Sequence, residues 1–327
     1  MNILVTGGAG FIGSHIVDAL IEKGHSVSVI DDLSLGEEKN INPSAKFWKG
    51  NINDLRILEA LFQTEQPEVV FHLAAFAREG ASQFIPIKVS QTNYEGYIRV
   101  LTTAIKNKVK KIILFSSMAV YGEQPIPFFE TAETKPVDIY GVNKVAMEKA
   151  TQILAEVHGF DWVIIRPHNV FGERQSLRDP YRNVMGIFMN RIMRREPIYV
   201  YGDGEQARAY SYIDNSIPCY LKALETEKEI FNIGGLEVIT VNELVRLILR
   251  EFDLKEYPII YLRDRPCEVK HAWCSAQKSI FVLTYRDAVS IEEGIHEMAE
   301  WAKQEGPQEW IKEKLEIYSE MTPVTWR

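Results

Sequence analysis

Tyr140 and Lys144 stand four residues apart in Tyr-Gly-Val-Asn-Lys, a spacing that places both side chains on one face of a helix. Some twenty residues earlier, the apolar run Lys111–Phe115 ends in Ser116-Ser117. A tyrosine titrates near 10 and is a poor base at neutral pH, but a neighbouring cation stabilises its phenolate. Lowering that pKa by about three units takes roughly 4 kcal/mol of differential interaction. The chemistry available is withdrawal of a proton from a hydroxyl by the phenolate, with a serine bonded to the same oxygen. A Tyr and a Lys so spaced on a helix are usually an accidental surface pair, so the reading depends on what surrounds them.

The opening residues, MNILVTGGAGFIG, form a short apolar strand that runs into a glycine-rich turn and then an amphipathic stretch to Lys23. This is how a doubly wound α/β domain holds the pyrophosphate of a dinucleotide. Gly7 and Gly8 permit the tight turn, Gly10 lets backbone approach phosphate, and Gly13 allows the helix to pack on the sheet. The helix N-terminus then faces the negative charge. The β-branched run His25–Ile30 ends in Asp31, about 20 residues after the glycines, where a carboxylate binds the adenosine ribose. Asp31 accepts the 2′-hydroxyl and repels a 2′-phosphate, Asp32 follows, and the next basic residue is Lys39, so NAD is preferred over NADP. An oxidised nicotinamide would supply a second positive charge beside Tyr140.

The chain has 327 residues, enough for one large or two moderate domains. Its net charge of −8 offers no basic stripe for nucleic acid, and no apolar run is long enough to span a bilayer. The N-terminus enters a strand without a signal peptide, and the three cysteines (Cys219, Cys267 and Cys274) follow no metal-ligand spacing, pointing to a reduced, cytoplasmic protein. Its seven histidines form no HExxH or clustered pattern, so no metal site is expected.

Strands and helices alternate, which argues for a parallel sheet. Strands are expected near Lys46–Lys49, Val69–His72, Lys111–Ser116 and Trp162–Arg166. Helices are expected at Asp54–Thr64, with Asp54 as N-cap, at Val89–Lys106 and at Tyr140–His158. After Pro167 the texture changes to Gly- and Pro-bearing loops around helices at Val184–Arg194, Asn215–Glu225 and Val241–Phe252, with short strands at Ile198–Tyr201 and Ile230–Ile233. The expected organisation is a doubly wound parallel sheet over 1–166 and a smaller substrate-binding lobe over 167–327, with a possible return of the chain to the sheet.

Motifs in order along residues 1–275 carry a resemblance: TGGAGFIG (Thr6–Gly13), DDLSLG (Asp31–Gly36), HLAA (His72–Ala75), SSMAVYG (Ser116–Gly122), YGVNK (Tyr140–Lys144), RPHNVFG (Arg166–Gly172), YGDGEQAR (Tyr201–Arg208) and RPCEV (Arg265–Val269). The chain resembles the extended short-chain dehydrogenase/reductases, and within them the UDP-galactose 4-epimerase group of nucleotide-sugar enzymes. The resemblance implies that Phe11 and Ile12 lie under the pyrophosphate and that Asn51 and Ile52 border the adenine. It further implies that Leu73, Ala74 and Ala75 line the cofactor channel, that Asn93 reaches the cofactor, and that Ser116 borders it. Ser117, Tyr140 and Lys144 become the catalytic set. Asn169, Tyr201, Arg208 and Arg265 become the groups that hold the sugar nucleotide, and guanidinium forks suit a diphosphate. Ala272 falls at the pocket wall, where some relatives carry a tyrosine, and a homodimer through the helices at 89–106 and 140–158 is implied.

The implied reaction is reversible oxidation at sugar C4, with the keto sugar turning over while its nucleotide stays clamped. Two alternatives share the scaffold. A nucleotide-sugar 4,6-dehydratase or decarboxylating relative needs a further acid or base, and Met118 and Ala119 occupy the positions where those families carry one. A non-catalytic NAD-binding regulator would be expected to lack a catalytic member. Asn51, Ala77, Arg78-Glu79, Ala209 and Cys267 depart from the family pattern and bear on the sugar more than on the reaction. The segment 306–327, rich in Trp and Glu, lies outside the resemblance.

Overall fold

Alternate residues of each central strand point to opposite sides, and both sides of these strands are apolar. Ile3 and Val5 of β1 (Asn2–Thr6), Val27 and Val29 of β2 (Ser26–Asp31), Phe71 of β4 (Val69–His72) and Ile113 of β5 (Lys111–Phe115) face one side. Leu4, Val70, Ile112 and Leu114 face the other. Such strands require helices on both faces, and the computed structural model, which describes residues 1–182 and 184–326, has them.

Seven parallel strands form the central sheet. Its order is Glu229–Ile233, β6 (Asp161–Pro167), β5, β4, β1, β2 and β3 (Lys46–Lys49). Strand order reverses between β1 and β4, and the crevice outside their carboxyl ends is where ligands bind in such sheets. On one face, α1 (Phe11–Glu22) buries Ile16, Val17 and Leu20 together with helices from the second half of the chain. On the other lie α2 (Leu55–Glu65), α4 (Gly96–Lys106) and α5 (Ile139–His158), through Leu58, Leu61, Tyr97, Leu101 and Met147.

Local signals set the helix limits. Asp54 caps α2 by accepting from the Arg56 amide at 3.0 Å. Asp138 caps α5 by accepting from the Gly141 amide at 2.6 Å, and Gly159 ends that helix in the left-handed region. The helix expected over 89–106 starts earlier, at α3 (Pro86–Ser90), and passes through a π turn at Gln91–Glu95 before continuing as α4. Such turns widen a helix where a side chain must be re-aimed, and this one carries Asn93.

Beyond Pro167 the chain builds helices Val184–Met193, Ile213–Lys222, Val241–Glu251 and Ile291–Glu305, and returns one strand, Glu229–Ile233, to the sheet beside β6. Residues 306–326 then run back across the carboxyl ends of the strands. Gln308 exchanges hydrogen bonds with Asn190, the Glu316 amide donates to the Phe84 carbonyl, and Trp326 packs on Phe84 and Tyr181. Among the described residues, no helix is long and apolar enough to cross a membrane.

Candidate active site

The carboxyl ends of β1, β2, β4, β5 and β6 open into a cleft of about 440 Å3, walled on its far side by the second half of the chain. The glycine turn forms its floor. Gly7 has a φ of 73°, and a Cβ there would sit 2.7 Å from the Ala74 amide nitrogen. A Cβ on Gly13 would lie 2.2 Å from the Gly7 carbonyl oxygen, so α1 can approach the turn only with glycine at that place. Gly10 caps α1 without a side chain, which leaves the first amides of the helix turned toward the cleft. Phe11 and Ile12 line it at the same level.

Asp31, at the end of β2, accepts from the Ala9 amide at 3.1 Å and the Leu33 amide at 2.8 Å. Burial pushes its carboxyl above the usual range, and each oxygen retains a lone pair for a ribose hydroxyl. Asp32 accepts from Asn51 Nδ2 at 2.7 Å, so these two neighbours of the cleft are bonded to each other. Leu73, Ala74 and Ala75 line the next stretch, with Ala74 held by its amide donating to Thr6 Oγ1 at 3.2 Å, and Ile52 borders the cleft from β3's side. The donors and acceptors of this trough fit a dinucleotide.

Asn93 differs from expectation. It is fully buried, its Oδ1 accepts from the Phe76 amide at 2.6 Å and its Nδ2 donates to the Phe76 carbonyl at 3.2 Å. Its amide shapes the loop after β4 rather than reaching into the cleft. Ser116 borders the cleft as expected and donates its hydroxyl to Glu148 at 2.5 Å, and Glu148 is gripped by both prongs of the Arg166 guanidinium at 2.9 and 2.7 Å.

Ser117, Tyr140 and Lys144 meet at the mouth of β5. Ser117 caps a short turn by accepting from the Ala119 amide at 3.1 Å, and its hydroxyl lies against the Tyr140 phenol. Lys144 donates to the Phe115 carbonyl at 2.7 Å and stands 5.5 Å from the Tyr140 ring centre. Burial pushes Lys144 down to about 7, and it pushes Tyr140 up, reinforced by the carboxylate of Glu79. The protein's own cation therefore does not by itself bring the phenol into the working range.

A profile described as the NAD dependent epimerase/dehydratase family matches residues 3–234. The chain belongs to this family. A Methanocaldococcus jannaschii protein provisionally named a UDP-glucose 4-epimerase is 35% identical over 92% of this chain and 98% of its own. A UDP-glucuronate 4-epimerase of Thermodesulfobacterium geofontis is 30% identical over 92% and 96%. The crystal structure of a Thermotoga maritima UDP-glucose 4-epimerase with UDP-glucose is 37% identical, with a TM-score of 0.88 over 93% of this chain and 99% of that one. NAD is the cofactor of the family, and the trough from Gly7 to Asp31 is formed to take it.

Within this epimerase/dehydratase scaffold, the sugar-nucleotide candidates lie on the opposite wall. Asn169, at a φ of 40°, donates Nδ2 to the Ala209 carbonyl at 3.0 Å. Arg208 donates to the carbonyls of Ala207, Lys270 and Val269, and Arg265 is forked onto Glu268 at 2.9 and 2.7 Å while stacking on Tyr201. Tyr201 is bonded in turn to Thr325 of the tail at 2.5 Å. Ala272, buried and paired with Arg208, lines an adjoining pocket of about 100 Å3 rather than the main cleft, and the two share Glu79, Asn169, Arg208 and Arg265. Cys267 adopts a φ of 60°, the left-handed region that favours the glycine typical of the family.

Three features of the site were not among the expected residues. Glu79 turns its carboxylate into the cleft, 3.4 Å from Ser117 Oγ. Asp138, the cap of α5, is pushed up to about 7 by burial and by Glu79. Thr325 brings the tail into the cleft wall. The sequence signal for the first was the charged pair Arg78-Glu79 in an otherwise small and apolar stretch, and the structure separates the two. Arg78 is wholly buried against Asp179, Glu313, Phe76 and Tyr181, so it leaves the cleft to Glu79.

Proposed function

We propose that this protein interconverts the C4 epimers of a nucleotide-activated hexose, a UDP-hexose or UDP-N-acetylhexosamine, through a transient 4-keto sugar. The observation that carries this reading is the meeting of Ser117, Tyr140 and Lys144 beside the Gly7–Asp31 trough, in a chain 37% identical to a UDP-glucose 4-epimerase solved with its sugar nucleotide. Bound NAD supplies a reversible hydride acceptor and, when oxidised, positive charge.

The glycine turn and the α1 N-terminus hold its pyrophosphate, and Asp31 its adenosine ribose. Tyr140 takes the proton of the sugar 4-hydroxyl and later returns it. Ser117 is bonded to the same oxygen, and Lys144, anchored on the Phe115 carbonyl, supports the charge that develops on the phenol. Arg208, Arg265 and Asn169 clamp the diphosphate, leaving the sugar free to present its other face while the nucleotide stays in place. Bound anion would draw Arg265 away from Glu268.

Two copies of the chain pair through α4 and α5 in this reading, where Ile153 and Val157 of α5 are 59% and 70% exposed. Light scattering of the purified protein tests this. The reaction is tested by incubating the protein with UDP-, dTDP- and GDP-sugars and following the C4 configuration by NMR. One observation favours a second reading, a 4,6-dehydratase: Glu79 places a carboxyl beside Ser117, although Met118 and Ala119 cannot move a proton. A product lighter by one water in the same assay would select it.

A further inference from the structure

The sugar end of the cleft carries an acid that the C4 reaction does not use. Glu79 Oε1 lies 3.4 Å from Ser117 Oγ, and its charge is felt by both Tyr140 and Asp138. The groups that face it are Arg182, Arg208, Arg265, Asp138, Ser117 and Tyr140. Arg265 is already forked on Glu268, a second carboxylate of the same wall, and Arg208 is directed to three backbone carbonyls. Once a diphosphate occupies these guanidinium groups, their positive charge is matched. Around Ser117, Glu79 and Asp138 then remain, with Arg182 as the cation opposite Glu79.

We propose that Glu79 sorts substrates by charge, admitting hexoses that are uncharged beside C4 and turning away those that carry a carboxylate there. This rests on the C4 reading, which puts the 4-oxygen beside Ser117. The uronate carboxyl is attached to C5, next to C4, so its charge would fall within about 7 Å of Glu79. At an effective dielectric of about 20, that repulsion between like charges is worth about fifty-fold in binding. A hydroxymethyl group meets no such repulsion. The question is a real one for this scaffold, because relatives of similar likeness are named for a neutral and for an acidic sugar.

The test is calorimetric titration of the NAD-loaded protein with UDP-glucose and with UDP-glucuronate, in wild type, Glu79→Gln and Glu79→Asp. Wild type binds UDP-glucuronate about fifty-fold more weakly, Glu79→Gln brings the two within about threefold, and Glu79→Asp, which keeps the charge, retains the difference. Retained NAD binding reports that each variant is folded. Equal binding of the two sugars by wild type, or a gap that Glu79→Gln leaves unchanged, overturns the proposal. Turnover is followed in parallel: if the binding difference appears without C4 inversion of any sugar, the epimerase reading falls and the charge sorting stands. If inversion occurs and the gap is insensitive to Glu79, the reverse holds. Failure of both sugars to bind overturns both.

Discussion

Lys144 Nζ donates to the carbonyl oxygen of Phe115 at 2.7 Å, so the last residue of β5 holds an ammonium that belongs to the neighbouring helix. Burial lowers Lys144 to about 7, well below its unfolded value. Between pH 7 and about 10 the unfolded chain therefore binds more protons at this lysine than the folded one, and stability from this group rises with pH. Below pH 7 both states are protonated and the burial penalty is fully present. Lys144→Met should flatten the rise of unfolding free energy between pH 7 and 9.5, measured by denaturant titration. Asp138, also displaced to about 7, acts below this window and so does not interfere. Parallel pH profiles for the two proteins would show that Lys144 is not displaced.

Tyr140→Phe should lower turnover by at least about a hundredfold, the usual contribution of a positioned acid–base group, while NAD remains bound. The ring is buried in the same apolar cluster as Phe76, Phe84 and Val89, so the variant keeps its packing and loses only the hydroxyl. Turnover above about a tenth of wild type would remove Tyr140 from the role of base.

Asp31→Ala should weaken NAD by about ten- to a hundredfold, the range for a hydrogen bond to a charged group, and reduce discrimination against NADP. The structure adds a cost. The amides of Ala9 and Leu33 lose their acceptor, so the melting temperature should fall as well. Titration of both cofactors checks the first effect, and equal affinity of wild type for NAD and NADP would defeat it.

Ala272→Tyr should fill the pocket beside Glu79 and Asn169 and select against sugars with an N-acetyl group. Overpacking at this buried position should also cost about 1–3 kcal/mol of stability. Rates on UDP-glucose and UDP-N-acetylglucosamine decide it. A variant that loses both alike would show that Ala272 does not gate the sugar.

The sheet was legible because its cause is local. The runs at Lys46–Lys49 and Val69–His72 are centred on aromatic or β-branched residues and form strands over those same residues. The glycine turn and Asp31 were legible for the same reason. Glu79 was not, because its meaning lies in Ser117, 38 residues away, and in arginines further along the chain. The resemblance assigns Asn93 to the cofactor, whereas its partner is the Phe76 backbone, and Asn93 sits in the π turn of its helix. Helix Ile291–Glu305 is not among the helices expected from the pattern, although Ser290 and Glu293 form a capping box that sequence alone displays. The tail's return across the cleft depends on scattered single contacts and carries no periodic signal.

Arg78 joins that tail to the site. Its Nε donates to Asp179 at 2.9 Å and its Nη1 to Glu313 at 2.9 Å, with the guanidinium between the rings of Phe76 and Tyr181 at 4.8 and 4.7 Å. Three segments therefore converge on one buried cation: the loop after β4, the loop at 179–181, and the tail. Arg78→Met keeps the apolar stem between the two rings but leaves Asp179, which is nearly as buried, without its countercharge. Glu313 retains Lys88 at 2.8 Å, so the loss should centre on Asp179. Breaking a buried pair from one side costs about 3–5 kcal/mol, and denaturant unfolding should report a loss of that order. The double variant Arg78→Met/Asp179→Asn should recover part of it, because the stranded charge is gone. Limited proteolysis should cut within 306–326 faster in the single variant, since one of the ties of that segment is lost. A loss below about 1 kcal/mol with unchanged proteolysis would mean that the tail is held by its other ties, among them the Gln308–Asn190 and Glu316–Phe84 hydrogen bonds and the packing of Leu315 and Trp326, and that Arg78 is not its anchor.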